Sequence, residues 1–304
     1  MPRPKVIVLM STYNGEKYIK EQIDSILNQS GADVWLKIRD DGSTDNTVNI
    51  IEDYQKTHDN ILLEKAQNIG ANESFKALLY GIDLQTDFDY AAFSDQDDIW
   101  HEKKLEEAIK KTEKFDTPSL YYSALNTFDE TTGASSKIVL PFQFTLTESL
   151  IRTAFPGCTM VINRQGIEML LNIGNPDTTA MHDSFIYQVF CAGKYTIIYD
   201  TESYIEHRMH ANNVSVTEGG FISTIKHVYR NRKNLKGLKS ESAKELLRLA
   251  PEFAPEDSIR EISVLANYRD SIKNKRLALK AVKNTRFNKH VKREFILAVL
   301  LNMY

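Results

Sequence analysis

The 304-residue chain is 42% apolar and 26% charged, with only 13 Gly and 8 Pro. This composition excludes disordered, collagenous and disulfide-stapled classes and suits one large domain with an appendage, or two small ones. The formal net charge of −3 hides an asymmetry, because residues 221 to 304 hold 19 Lys or Arg against 8 Asp or Glu, and residues 1 to 220 hold 19 against 33. The acidic part is no nucleic-acid-binding surface, and the basic tail faces a different partner.

At the N-terminus the apolar run Val6 to Met10 is shorter than a signal-peptide core of roughly 7–15 residues. From there short β-branched runs alternate with helical segments, the pattern of βα units around a mostly parallel sheet. The strands predicted are Lys5 to Met10, Val34 to Arg39, Ile61 to Lys65, Tyr90 to Phe93, Leu120 to Ala124, Thr159 to Asn163 and Tyr195 to Tyr199. Glu16 to Gln29 carries Tyr18, Ile19, Ile23, Ile26 and Leu27 at helical spacing, and Thr47 to Tyr54 follows a Ser43-Thr44-Asp45 capping cluster. Cys158 and Cys191 lack metal-ligand spacing and read as buried thiols of a reducing compartment, which places the chain in the cytoplasm.

Past Ser215 strand signals give way to helical periodicity with Lys and Arg on the polar face, broken by Pro251 and Pro255. Two parts are expected: residues 1–215, with a nucleotide-binding half at 1–115 and an acceptor half at 116–215, and a basic helical region at 216–304. The last segment sets Val291, Phe295, Ile296, Val299, Leu300 and Met303 on one face behind Lys289, Lys292 and Arg293. That face suits either an anionic membrane surface or packing on its own domain. The longest apolar stretch, Phe295 to Leu301, falls far short of the roughly 20 residues that cross a bilayer.

In doubly wound sheets ligands bind beyond the carboxyl ends of the strands. Here the second predicted strand ends in Asp40-Asp41-Gly42-Ser43, and the fourth in Ser94-Asp95-Gln96-Asp97-Asp98. Three carboxylates within four residues repel one another strongly, and a hard divalent cation, Mn²⁺ or Mg²⁺, is the usual remedy. Asp97 or Asp98 alternatively caps a helix beginning near Ile99-Trp100, and Asp45 reads as a cap. The Trp100 indole is either a sugar platform or core packing. No G-x-G-x-x-G follows the first strand and no G-x-x-x-x-G-K-[ST] occurs, so a diphosphate would be held by the metal, with a base stacked on Tyr13 of Ser11-Thr12-Tyr13-Asn14-Gly15.

These segments, in this order, resemble glycosyltransferase family 2, the inverting enzymes of GT-A fold. The likeness runs over about residues 5 to 215 and continues through Asn68-Ile69-Gly70, Pro156-Gly157-Cys158-Thr159-Met160, Met181-His182-Asp183 and Arg208-Met209-His210 followed by Asn213. Within the family, Ser94-Asp95-Gln96-Asp97-Asp98-Ile99-Trp100 with His182-Asp183 is most similar to bacterial polysaccharide rhamnosyltransferases. The resemblance implies a GT-A type nucleotide-sugar-binding sheet flanked by helices. It further implies that Thr12, Tyr13, Asn14, Asp41, Asn68 and Asp95 bind the donor, with Tyr13 stacking on the base, Asp41 accepting its N3–H and Asp95 at the ribose or the metal. Asp97 and His210 would hold the metal, leaving His207 as a bystander. Asp183 matches the family's base, although the acid-Asp pair common there is His182-Asp183 here. Asp98, Trp100, Gly157, His182 and Arg208 would support the site or face the acceptor.

The expected activity is a single inverting displacement moving L-rhamnose from dTDP-β-L-rhamnose to a hydroxyl of a glycan or lipid-linked glycan, at the inner face of the bacterial plasma membrane. The rivals are another donor such as a UDP-hexose, a nucleotidyltransferase, and a non-catalytic membrane scaffold. Lys17 is the only basic residue between Thr12 and Tyr18, which disfavours a triphosphate-binding loop. A homodimer is compatible with all of these.

Overall fold

The computed structural model describes residues 2–152, 156–209 and 238–304. Val6 through Met10 are buried on both faces of strand β1 (Lys5–Thr12), as a central strand covered on both sides requires. β2 (Asp33–Asp40) and β4 (Tyr90–Ser94) flank β1 in parallel, and β3 (Ile61–Lys65) adds in parallel outside β2. The connecting helices α1 (Ile19–Leu27), α2 (Thr47–Gln55) and α3 (Ala71–Tyr80) are amphipathic. α1, for example, turns Ile19, Ile23 and Ile26 inward, each side chain contributing about 1.5–3 kcal/mol by leaving water.

Beyond β4 the sheet reverses. β8 (Val161–Asn163) runs antiparallel to β4 and to β6 (Ser119–Asp129), and β7 (Ser135–Ile138) is antiparallel to β6. β9 (Thr196–Met209) is parallel to β6, and β5 (Ile99–Trp100) is antiparallel to β9. The nine strands among the described residues form one mixed sheet in the order β3-β2-β1-β4-β8-β6-β9-β5, with β7 off β6. This is the helix-flanked α/β sheet expected, with its parallel pairings confined to β3-β2-β1-β4 and β6-β9.

Three local expectations need correction. Residues 157 to 159 form a 3-10 turn, so the strand begins only at Val161. β9 runs ten residues past Tyr199, because its polar continuation pairs with β6 through register shifts near Ala124. Ile99-Trp100 is a strand and not a helix start; Trp100 pairs with Ile205, and helix α4 begins at Lys104 (Lys104–Thr112).

Two compact units emerge. The first comprises Met1–Phe142, Phe155–Asn175 and Tyr195–His210, the second Gln143–Ala154, Pro176–Lys194 and Ala211–Tyr304. The boundary expected at 215/216 lies outside the described residues, and two segments from before it belong with the C-terminal helices. The second unit contains α5 (Leu146–Ile151), a helix at His182–Ala192, and helices at Leu238–Leu249, Glu256–Ala266, Ile272–Asn284 and Lys289–Leu300. No described helix is long and apolar enough to cross a membrane. Buried Glu148 of α5 completes a capping box with Thr145 and accepts hydrogen bonds from the Arg286 backbone N–H (2.7 Å) and Nε (3.1 Å). Burial works against its charge, but Arg286 and the Thr145 amide hold the carboxyl down to about 2.

Candidate active site

The exits of β2, β1 and β4 are neighbours, because Thr12 is in register with Asp40 and Met10 with Ser94. Polar residues ending these strands therefore meet at one edge, where α/β sheets bind ligands. The Thr12 hydroxyl donates to Asp40 Oδ1 (3.1 Å), and Asp40 Oδ2 accepts from the backbone N–H of Gly42 and Ser43. Thr12 is 1% exposed, and its side chain braces the loop. Asn14, at φ +48°, accepts from the Thr44 N–H at 2.8 Å and is committed to joining the first two loops. Asp45 accepts from the Thr47 N–H at the start of α2, but the N-cap position itself is Asn46, so Asp45 stands one residue ahead of the cap expected of it.

Tyr13 remains 47% exposed beside these loops. Its backbone N–H donates to Gln96 Oε1 (2.9 Å) and its carbonyl accepts from Gln96 Nε2 (3.1 Å). One carboxamide thus ties an open aromatic face to the acidic loop after β4. A Cβ at Gly15 would stand 2.3 Å from Gln96 Oε1, so the bridge needs glycine there. Sequence reasoning missed Gln96, whose only signal is its place between the acids.

Asp41 is 2% exposed, and both its oxygens are engaged by the Arg39 guanidinium and by the N–H groups of Ile69 and Gly70 (2.8–3.0 Å). The expected direct contact with a base edge is closed in this conformation; Asp41 holds the 68–70 loop instead. Asn68 is exposed on that loop, and its Oδ1 accepts from the Gly70 N–H.

In the acidic loop Asp95 and Asp97 are half-buried, while Asp98 is 1% exposed. Asp98 Oδ1 lies 2.8 Å from His207 Nδ1, so Asp98 caps no helix and His207 is not a bystander. Burial opposes the charge on His207, yet Asp98, with Asp95 and Asp97 behind it, carries its pKa up to about 9. Asp98 Oδ2 is buried without a hydrogen-bond partner, and ligand atoms of Asp95, Asp98, Cys158 and His207 lie within 4.8 Å of one another. A divalent cation fits this acidic pocket. Burial pushes the Cys158 thiol well up, and the carboxylate oxygens of the pocket are hard donors of the kind that suit Mn²⁺ or Mg²⁺. His210 lies outside the described residues.

Trp100 is 3% exposed, with the buried Lys104 ammonium 3.6 Å from its ring centroid. Its ring is thereby covered, which removes the sugar-platform alternative in favour of core packing. Burial drives Lys104 down to about 7, as expected of an amine without a hydrogen-bonding acceptor.

Arg208, 5% exposed, is the joint of this edge. Its Nε donates to the Asp97 carbonyl (3.0 Å), its NH2 to Glu21 (2.6 Å) and its NH1 to Glu130. Its guanidinium lies 4.7 Å from the ring centroids of Tyr18 and of Phe128. Glu130 also accepts from Lys17 (2.9 Å) and Tyr18 (3.0 Å), and these partners, Lys17 foremost, hold its carboxyl down to about 2. Gly157 is buried in the 3-10 turn beside Cys158. In the second unit, half-buried Asp183 stands in the first turn of the helix His182–Ala192, where the dipole favours a carboxylate. His182 is 6% exposed, and burial lowers its pKa.

A model of glycosyl transferase family 2 matches residues 7–168. The dTDP-rhamnosyl transferase RfbG of Shigella flexneri is 34% identical over 212 residues, spanning 67% of this chain and 72% of that protein. Among solved structures, S. aureus TarS 1-349 in complex with UDP-GlcNAc aligns with a TM-score of 0.55 at 16% identity, covering 97% of this chain and 81% of that one. The mannosyltransferase PcManGT from Pyrobaculum calidifontis, in complex with GDP-Man and Mn²⁺, aligns with a TM-score of 0.50 at 18% identity, covering 100% and 81%. At such identities the two structures speak for the fold alone.

Proposed function

The chain belongs to glycosyl transferase family 2, and from that premise we propose that it moves L-rhamnose from a dTDP-linked donor to a hydroxyl of a lipid-linked surface-polysaccharide precursor, with inversion. The observation that carries the reading is the Tyr13–Gln96 bridge, which sets an exposed aromatic face beside the acidic loop. A nucleoside diphosphate needs that pairing: a ring to stack on and a place to neutralise two phosphates. The choice of thymidine and rhamnose draws on the likeness to the Shigella protein.

In this reading Tyr13 stacks on the base, and Asp41, through Ile69 and Gly70, sets the loop carrying Asn68 against it. Asp95 and Asp97, with His210, would hold the cation, and the buried Asp98, paired with His207, would support them from within. A bound Mn²⁺ or Mg²⁺ would supply positive charge to stabilise the departing diphosphate. Asp183 takes the proton of the acceptor hydroxyl as that oxygen attacks the anomeric carbon, and no covalent sugar intermediate is needed. His182 and Gly157 shape the acceptor side. Residues 1–215 supply the transferase and 216–304 the attachment to the inner face of the plasma membrane.

The test is turnover of a panel of nucleotide sugars with Mn²⁺ and a lipid-linked acceptor. Release of dTDP from dTDP-rhamnose above every other donor is the expected result. Preference for a UDP-hexose changes the donor and keeps the class, pyrophosphate release from dTTP and a sugar phosphate would move the protein to the nucleotidyltransferases, and absence of dTDP binding in calorimetry favours a scaffold.

A further inference from the structure

The helices Ile272–Asn284 and Lys289–Leu300 form an antiparallel pair. Lys275 Nζ donates to the Leu300 carbonyl (2.9 Å) and to Asn302 Oδ1 (3.0 Å) at one end, and Lys292 Nζ to the Lys283 carbonyl (2.9 Å) at the other. Ala278, Val282, Phe295 and Val299 are buried, so the pair is anchored on its own unit and the opposite stripes meet solvent.

Those stripes are graded along the pair. At the Lys275–Leu300 end stand Ile272 (74% exposed), Leu301 (63%), Leu297 (53%), Leu300 (49%) and Leu277 (42%). Toward the other end the exposed positions include Lys280, Lys283, Lys289 and Arg293, with Asn284, Asn288 and His290 among them. Because the helices run in opposite directions, the apolar end of one coincides with the apolar end of the other, and so do the basic ends. Five large apolar residues are exposed toward one end of the pair, with the exposed Lys273 and Arg276 between them.

Charge names the occupant. Residues 270–304 contain nine Lys or Arg and two acids, Asp270 and Glu294. At about 1.5 Å per residue, Lys280 and Arg293 stand eight residues, roughly 12 Å, from Ile272 and Leu301. Apolar side chains of an interfacial element sink roughly 5–10 Å into the headgroup boundary, so a tip entering end-on places this basic collar near the phosphates. Arg276 and Lys273, nearer the tip, have stems long enough to carry their charges outward to the same level.

We propose that this helical pair is a membrane-docking wedge, its tip of Ile272, Leu277, Leu297, Leu300 and Leu301 entering an anionic lipid surface while Lys280, Lys283, Lys289 and Arg293 engage the headgroups. The assignment rests on the peripheral location proposed above and gives that location a specific surface. It is independent of which sugar is transferred.

Co-sedimentation with phosphatidylglycerol vesicles tests it on the full chain, with phosphatidylcholine vesicles as reference and at low and high salt. The wild type is expected to bind the anionic vesicles and to release with salt. The triple variant Ile272→Ser, Leu300→Ser, Leu301→Ser removes only exposed side chains, so its melting temperature is retained while vesicle partitioning drops at least tenfold. Lys280→Glu with Lys283→Glu gives a comparable loss that high salt does not deepen. Failure of the wild type to bind anionic vesicles overturns the peripheral location and the wedge together. Binding by the wild type and equally by both variants overturns the wedge and leaves the location standing. Light scattering showing a wild-type dimer that the triple variant converts to monomer, with vesicle binding unchanged, assigns the tip to a second copy instead.

Discussion

His207 Nδ1 sits 2.8 Å from Asp98 Oδ1, so the distal end of β9 is fastened to the acidic loop that follows β4. Both groups are largely withdrawn from water, with Asp98 fully enclosed. The pair fixes the inner face of that loop and leaves Asp95 and Asp97 as its half-buried carboxylates.

Removing one member strands the other. His207→Ala leaves Asp98 buried without its imidazolium, and the unfolding free energy is expected to fall by about 3 kcal/mol. Adding Asp98→Asn recovers part of the loss, giving a coupling of about 1–3 kcal/mol in a double-mutant cycle followed by denaturant unfolding. Strictly additive losses would show that the two side chains do not act as a unit.

Asp97→Asn is expected to leave the melting temperature within about 2 °C of wild type, since a half-buried loop acid carries little core packing. Metal-dependent turnover should be abolished, and manganese binding followed by electron paramagnetic resonance should weaken in parallel. Full activity of the variant in Mn²⁺ would falsify its place as a ligand.

Asp183→Asn is nearly isosteric and lies outside the nucleotide-binding strand ends, so donor affinity should survive. Turnover at saturation should fall by roughly 10²–10⁴-fold, the usual contribution of a general base. A variant that loses donor affinity and keeps kcat makes Asp183 a binding residue and passes the role of base to His182.

Glu148 gives the second unit an acid-labile staple. Its folded pKa of about 2 lies below the ordinary 4.5, so its contribution is complete above about pH 4.5 and is lost as pH falls through 4 and 3 toward about 2, amounting to about 3 kcal/mol. Denaturant unfolding of the wild type and Glu148→Gln should therefore show a stability gap that is constant from about pH 7 to about pH 5 and closes toward about pH 2. A gap independent of pH would assign the effect to packing.

What the sequence determined by itself was local. A short, β-branched apolar run from Val6 to Met10 reads as a covered strand, and acids placed directly after strand-forming runs mark the ligand edge of a parallel sheet. Periodicity also separated the basic helices from the sheet, because a 3.6-residue repeat is readable without knowing its partners. The tertiary structure decided what each side chain spends its polar atoms on. Thr12 and Asp41 carry the expected residue types at the expected places, yet their hydrogen bonds go to neighbouring loops. His207 becomes the partner of Asp98 only because β9 continues ten residues past its apolar run, a continuation paid for by backbone pairing with β6 and β5 that leaves no mark on residue type. Trp100, read beside the acids in sequence, was turned inward by the same pairing, since a strand sends successive side chains to opposite faces and the face allotted to the indole was the core.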